Sequence, residues 1–181
     1  MNYLKHSIIY INIMSYITEQ ILQNKLILSS NDINNDINNM IKLKLKEQVE
    51  GKCNSNGYVV NDSVKVIKRN LGEVKTNNGK SEIKYLITYK AKIISLTPGD
   101  EVKVYVNNIN KMGVLSYIKL NMKDTETFED SPVIIMIPKE YFTDSSRNFN
   151  DITVGQTLNV VILGSRDKYL SDKIQSVARP L

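Results

Sequence analysis

Apolar residues change their spacing twice along this chain, and those changes mark its elements. Glu19 to Leu28 reads as a strand. Ile33, Ile37, Met40, Ile41 and Leu45 then recur at helical spacing, which predicts one amphipathic helix whose apolar stripe belongs to a core. Ser29, Ser30, Asn31 and Asp32 are its N-cap candidates. Asp32 and Asp36 near the start, with Lys42, Lys44 and Lys46 near the end, complement the helix dipole.

From Val49 onward the period becomes that of strands. Short pieces at Glu50 to Cys53 and Tyr58 to Val60 are joined through Asn54-Ser55-Asn56-Gly57, a turn-rich tetrapeptide. Ser63 to Val74 reads as a further strand region bent at Gly72, and Thr76 to Lys80 as a hairpin around an Asn-Gly step. The next segment alternates most cleanly. Ile83, Tyr85, Ile87, Tyr89, Ala91 and Ile93 fall on one face, and Lys84, Thr88, Lys90 and Lys92 on the other, as in a long strand with one wetted face.

Pro98-Gly99-Asp100 marks a boundary. Beyond it Val102, Val104 and Val106 alternate with Lys103, Tyr105 and Asn107. Strands at Val114 to Leu120, Val133 to Ile137, Thr157 to Gly164 and Lys173 to Ala178 follow, with a helical turn opening on Pro138. Five strands with a short helix after the third fit an OB barrel. The fold class expected is therefore α+β: a small N-terminal α/β domain with a helix on an antiparallel sheet, then a five-stranded OB-fold β-barrel. The divisions are 1–14 as a tail, 15–97 as the first domain and 98–181 as the barrel.

Composition changes this picture little. No stretch approaches ~18 uninterrupted apolar residues, so no transmembrane helix is expected. The tail from Met1 to Met14 has Lys5 and a short apolar run but no small-residue cleavage site, and reads as a strand, a tail or an over-extended start. The single cysteine, Cys53, points to an intracellular, reducing setting and to a buried, inert thiol. With His6 the only histidine, the chain is too poor in soft ligands for a structural zinc site, which needs about four. Ile, Asn and Lys number 23, 21 and 20, and their codons indicate an AT-rich genome.

The net charge of +5 invites a polyanion, but residues 1–100 carry all of it. Residues 101–181 hold 10 basic and 10 acidic side chains, so nucleic acid would need a local patch there. Neither glycine-rich phosphate loop is present, and one His and one Cys supply no visible nucleophile–base pair. The acidic residues Asp124, Glu126, Glu129 and Asp130 read as a solvated loop. No active site, metal or cofactor is expected; the chain reads as a binding module.

Read in order, the motifs resemble the stalk-subunit family of multisubunit RNA polymerases, meaning the seventh subunit of eukaryotic RNA polymerase II and its archaeal counterpart. The residues that carry the resemblance begin at Val49-Glu50-Gly51-Lys52-Cys53 and Gly57-Tyr58-Val59. Ile87-Thr88-Tyr89-Lys90-Ala91 follows, then Glu101-Val102, Val106, Ile109, Lys111 and Gly113. Val161-Ile162-Leu163-Gly164-Ser165-Arg166-Asp167-Lys168 closes the set. The similarity runs from about Tyr16 to the C-terminus. The spacing at Pro98-Gly99 is shorter than the family's, and Leu115 stands where many such barrels carry an aromatic. The composition and compact length resemble versions from large DNA viruses.

The resemblance implies a non-catalytic subunit of DNA-directed RNA polymerase, acting in transcription by docking on the polymerase core and guiding nascent RNA. Asn54, Ser55, Asn56, Gly57, Asn61 and Asp62 become the expected core contacts. Lys103, Tyr105, Lys111, Tyr117, Lys119, Arg166 and Lys168 become the expected contacts to weakly held single-stranded RNA. Expected partners are the core subunits and a second stalk subunit, with no membrane. The expected location is the virion and host cytoplasm for a viral protein, or the nucleus. The competing readings are a free-standing OB-fold RNA-binding or translation factor, and an interaction protein without nucleic-acid contact.

Overall fold

The computed structural model describes residues 16–29, 32, 36–77, 80–120, 126–143 and 148–181. The tail, His6, the cap candidates Ser30 and Asn31, Ile33, the Asn78-Gly79 turn and Asp124 lie outside the described residues. The protein is mostly β, with one α-helix and a closed five-stranded barrel among the described residues. It divides into two compact units. Among the described residues one, the sheet unit, comprises Thr18–Lys52 and Val59–Ile93; the other, the barrel unit, comprises 16–17, Cys53–Tyr58 and Ile94–Leu181.

In the sheet unit, β1 (Ile17–Ser29) and β6 (Lys80–Ile94) are the long strands. They are neighbours, and β4 (Lys65–Arg69) and β5 (Glu73–Asn77) each pair antiparallel with β6. Helix α1 (Ile37–Val49) covers one face, burying Ile41, Leu45 and Val49. These meet Leu26, Leu28, Tyr85, Ile87, Tyr89, Ala91 and Ile93 in one core. The alternating face read from β6 is thus the core face, and every one of those residues except Ile83 is fully buried.

Two local expectations are corrected. The helix N-cap is Asp36, whose side chain accepts from Asn39 N at 3.1 Å, not a residue of the 29–32 cluster. Asp32 is engaged by Ser29, accepting from its N–H at 3.0 Å and its hydroxyl at 2.8 Å, which leaves it no role as a cap. The region from Ser63 to Val74 is two strands rather than one. Val64 N donates to Glu50 Oε1 at 3.0 Å instead of joining a ladder, and the chain leaves β6 between β4 and β5 at Gly72, φ +90°. A Cβ on Gly72 would stand 2.7 Å from the Ile83 and Tyr85 side chains, so the detour requires glycine.

The segment after α1 is built from contacts the motif alone did not reveal. Val49 is core; Glu50 accepts from Val64 N and faces Lys46 Nζ at 3.7 Å; Gly51 takes φ +72°. Lys52 Nζ donates to the carbonyls of Glu47 at 2.7 Å and Gln48 at 3.3 Å, so a cation closes the last helical turn where the dipole favours one.

In the barrel unit, β7 (Glu101–Asn110), β8 (Gly113–Tyr117), β9 (Val133–Pro138), β10 (Thr157–Asp167) and β11 (Ile174–Pro180) close in the order β10-β11-β9-β8-β7. β9 and β11 run parallel; the remaining pairs, including the closure of β10 on β7, are antiparallel. Alternate residues fill the interior, among them Val104, Val114, Ile135, Ile137, Val160, Ile162 and Ile174, all at 0% exposure. Three hydroxyls share that interior, and each is bonded: Ser116 Oγ donates to Ile135 O at 3.0 Å, Ser131 Oγ to Ile118 O at 2.7 Å and Ser176 Oγ to Ser165 Oγ at 3.1 Å. A 3-10 turn at Lys139–Phe142 follows Pro138 and buries Phe142, as the proline predicted.

Candidate nucleic-acid interface

The outer face of the barrel is set by the pleat that fills its interior. With Val102, Val104 and Val106 inside, Lys103 and Tyr105 must point out from β7. With Val114 and Ser116 inside, Leu115 and Tyr117 point out from β8. Register then places Tyr105 directly opposite Tyr117, and their ring centroids lie 5.8 Å apart at a 37° tilt. Lys119, just beyond β8, brings its Nζ to 4.6 Å from the Tyr105 centroid, a cation–π distance. The three are one patch of rings and charge.

One further aromatic joins it that spacing did not single out, and a second lies nearby. Phe128 stands edge-on to Tyr117 with centroids 5.9 Å apart. It comes from the loop read as acidic and solvated, and its ring belongs to the patch because that loop folds back until Tyr117 donates to the Glu126 carbonyl at 3.4 Å. Tyr16 is buried, and its hydroxyl is held above its ordinary pKa first by that burial, then by the charges of Glu126 and Tyr105 nearby. A lone aromatic in a polar loop is the signal that could have found Phe128.

The remaining expected RNA contacts are dispersed. Lys103 is exposed on β7 opposite Asn159 of β10. Arg166 and Lys168 are exposed at the far end of β10, and the β10–β11 turn that follows lies at the same end of the barrel as Tyr117, since Ile174 pairs with Val133 and Tyr117 with Ile134. Lys111 sits at the other end, in the β7–β8 turn. There it lines a cavity of about 910 Å³ with Met112, Lys139, Phe142 and Phe149.

The expected polymerase contacts fall in two turns. Cys53–Asn54 (β2) and Gly57–Val59 (β3) form a tight hairpin with Ser55 and Asn56 exposed at its tip. Asn54 Oδ1 accepts from Asn56 N at 2.7 Å, which sets the turn, and Gly57 takes φ +126°. The hairpin is tied within the barrel unit: Cys53 N donates to Ser171 O at 2.8 Å and Leu170 N to Cys53 O at 2.9 Å. Asn61 and Asp62 belong to the sheet unit. Asp62 has φ +57° and accepts from Lys46 Nζ at 3.1 Å, while its carboxylate remains open to solvent.

Cys53 is 1% exposed, and burial, with Asp167 and Asp172 behind it, pushes its thiol from 9.0 to about 11. A thiol so poised stays protonated and is a poor nucleophile. Among the described residues no group of three His, Cys, Asp or Glu could hold a metal ion, and no helix is long and apolar enough to cross a membrane. No protein-family model matches the chain, and no curated protein matches it.

Proposed function

We propose that this chain is a non-catalytic stalk subunit of a multisubunit DNA-directed RNA polymerase, whose barrel carries an OB fold and guides emerging RNA. The observation that carries the reading is the barrel's strand order, β7-β8-β9-β11-β10 with a helical turn after the third strand, following the strand, helix and Val49–Cys53 segment in the sequence. In OB folds the outer face around the second and third strands and the adjoining loops take single-stranded nucleic acid. Tyr105, Tyr117, Phe128 and Lys119 supply the ring faces and charge such binding uses.

On this reading, the sheet unit and the exposed hairpin tip dock on the polymerase core, through Asn54 to Gly57 and the Asn61-Asp62 turn. RNA contact is weak, because the barrel half of the chain has no net charge, and sensitive to salt, because the phosphates are met by lysine and arginine. Co-purification tests the assignment: tagged protein from its native source should bring down the large polymerase subunits in stoichiometric amounts, and their absence would defeat it.

The same ring-and-lysine patch favours one competitor, a free-standing OB-fold RNA-binding factor. That reading requires the isolated chain to bind oligo-uridine tightly and to lose the affinity on Tyr105→Ala or Lys119→Ala, with no polymerase recovered. The stalk reading requires the reverse: weak binding by the isolated chain and recovered polymerase.

A further inference from the structure

Helix α1 covers only one face of the sheet unit. Residues opposite the core face of β6, and those in register with them, form the other. On β6 these include Glu82, Lys84, Leu86, the buried Thr88, Lys90 and Lys92; on β1 they include Glu19, Ile21 and Ile27. Gln23 Nε2 donates to Thr88 Oγ1 at 3.4 Å and Glu19 pairs with Lys90 at 2.7 Å, so the two strands present one continuous surface. Lys65 of β4 stands directly opposite Lys90, and Lys68 opposite Thr88.

Two properties of this surface call for an occupant. Its aliphatic groups are uncovered: Ile21 is 66% exposed, Ile27 58% and Leu86 41%. Its charge is one-sided at the β4 end, where Lys65, Lys90 and Lys92 lie around Glu19. Like charges facing each other across a strand pair oppose folding, and one carboxylate offsets only part of three cations.

We propose that this face binds an acidic amphipathic helix of a partner protein, with aliphatic side chains of the helix on Ile21 and Leu86 and its carboxylates on Lys65, Lys90 and Lys92. A sheet face that carries exposed aliphatic side chains is ordinarily covered by a helix packed across it, as α1 covers the opposite face. The cations select an acidic helix. The same face suits RNA poorly. Tyr85 and Tyr89, the tyrosines of β6, point into the core at 5% and 2% exposure, so they offer no ring here for a base to stack on. A second copy of the chain would bring lysines against lysines. Helix binding at this face does not depend on the polymerase reading and is tested separately from it.

The experiment uses the full chain and three labelled peptides of equal length. The first is a helix with leucine on one face and glutamate on the rest. The second has the same composition scrambled so that leucine lies all round, and the third replaces glutamate with lysine. Fluorescence anisotropy should show the first binding at least tenfold tighter than either control. Reversal at Lys65→Glu with Lys92→Glu should weaken it at least tenfold, and Ile21→Ser about threefold, with oligo-uridine binding unchanged. Lys92→Ala, a milder change, should weaken it in the same direction if the double reversal unfolds the chain. Equal binding of the scrambled peptide, or no response to the lysine variants, overturns the proposal. So does a loss of oligo-uridine affinity in those variants without loss of peptide affinity, which would make the face a phosphate surface. Dimerisation through the face, abolished by Ile21→Ser in sedimentation, overturns it in favour of a second copy.

Discussion

In the barrel unit β7 finds a partner on both edges, β8 and β10, whereas in the sheet unit β4 and β5 pair, among the described residues, with β6 alone. The barrel commits its backbone hydrogen bonds to closure, so what its outer wall offers is side chains, such as the Tyr105–Tyr117 pair. The sheet has closed nothing. Among the described residues it keeps an unpaired strand edge and a face without a helix, guarded by lysines and by a bulge between Val66 and Lys68. Closure makes a rigid platform for a ligand, and an open sheet leaves room for another protein.

Breaking each unit in its own manner tests that contrast. The largest effect is expected at Gly113, which closes the β7–β8 turn at φ +149° with its missing Cβ aimed at the Ile137 carbonyl oxygen. Gly113→Ala should destabilise the barrel by on the order of 4 kcal/mol, because the atom it collides with is backbone and cannot swing aside. Hydrogen exchange of β7 and β8 amides should report the loss. Gly155→Ala, where nothing lies within 4 Å, should cost far less despite its own positive φ.

Next comes Leu45, at 0% exposure between α1 and the sheet. Leu45→Ala should cost about 3 kcal/mol in urea unfolding, the usual penalty for an unfilled core site. Alkali gives the third effect, and it acts on the barrel unit through Cys53. The folded thiol titrates near 11, above its ordinary 9.0. Its stabilising contribution is therefore complete below pH 9 and is lost as pH rises towards 11, by on the order of 2 kcal/mol. Urea midpoints at pH 8 and pH 10.5 should show the fall, and Cys53→Ala should reduce it. At pH 8 native Cys53 should resist iodoacetamide and react only on unfolding. The smallest change is Asp36→Ala in the sheet unit, which removes the helix cap for about 1 kcal/mol and should be visible as fraying of the first turn of α1.

Much of this architecture could be read from spacing. The 3.6-residue recurrence of Ile37, Met40, Ile41 and Leu45 and the two-residue recurrence in β6 and β7 state which side of each element faces a core, because burial follows backbone period. The pleat also announced Lys103 and Tyr105 as outward residues of one strand. What spacing could not supply is the identity of neighbours brought from far along the chain. The tilted contact of Tyr105 with Tyr117 depends on strand register, and the arrival of Phe128 depends on a loop that folds back.

Closure of the barrel by β10 on β7 and the tie of Cys53 to Ser171 are pairings of backbone groups, which every residue carries alike. No side-chain pattern encodes them locally. The chain's own residues specify faces, turns and caps through short-range chemistry. Which faces meet, which rings stack and which lysines are left crowded at one end of a bare sheet are consequences of long-range packing, where the free energy depends on the assembled fold.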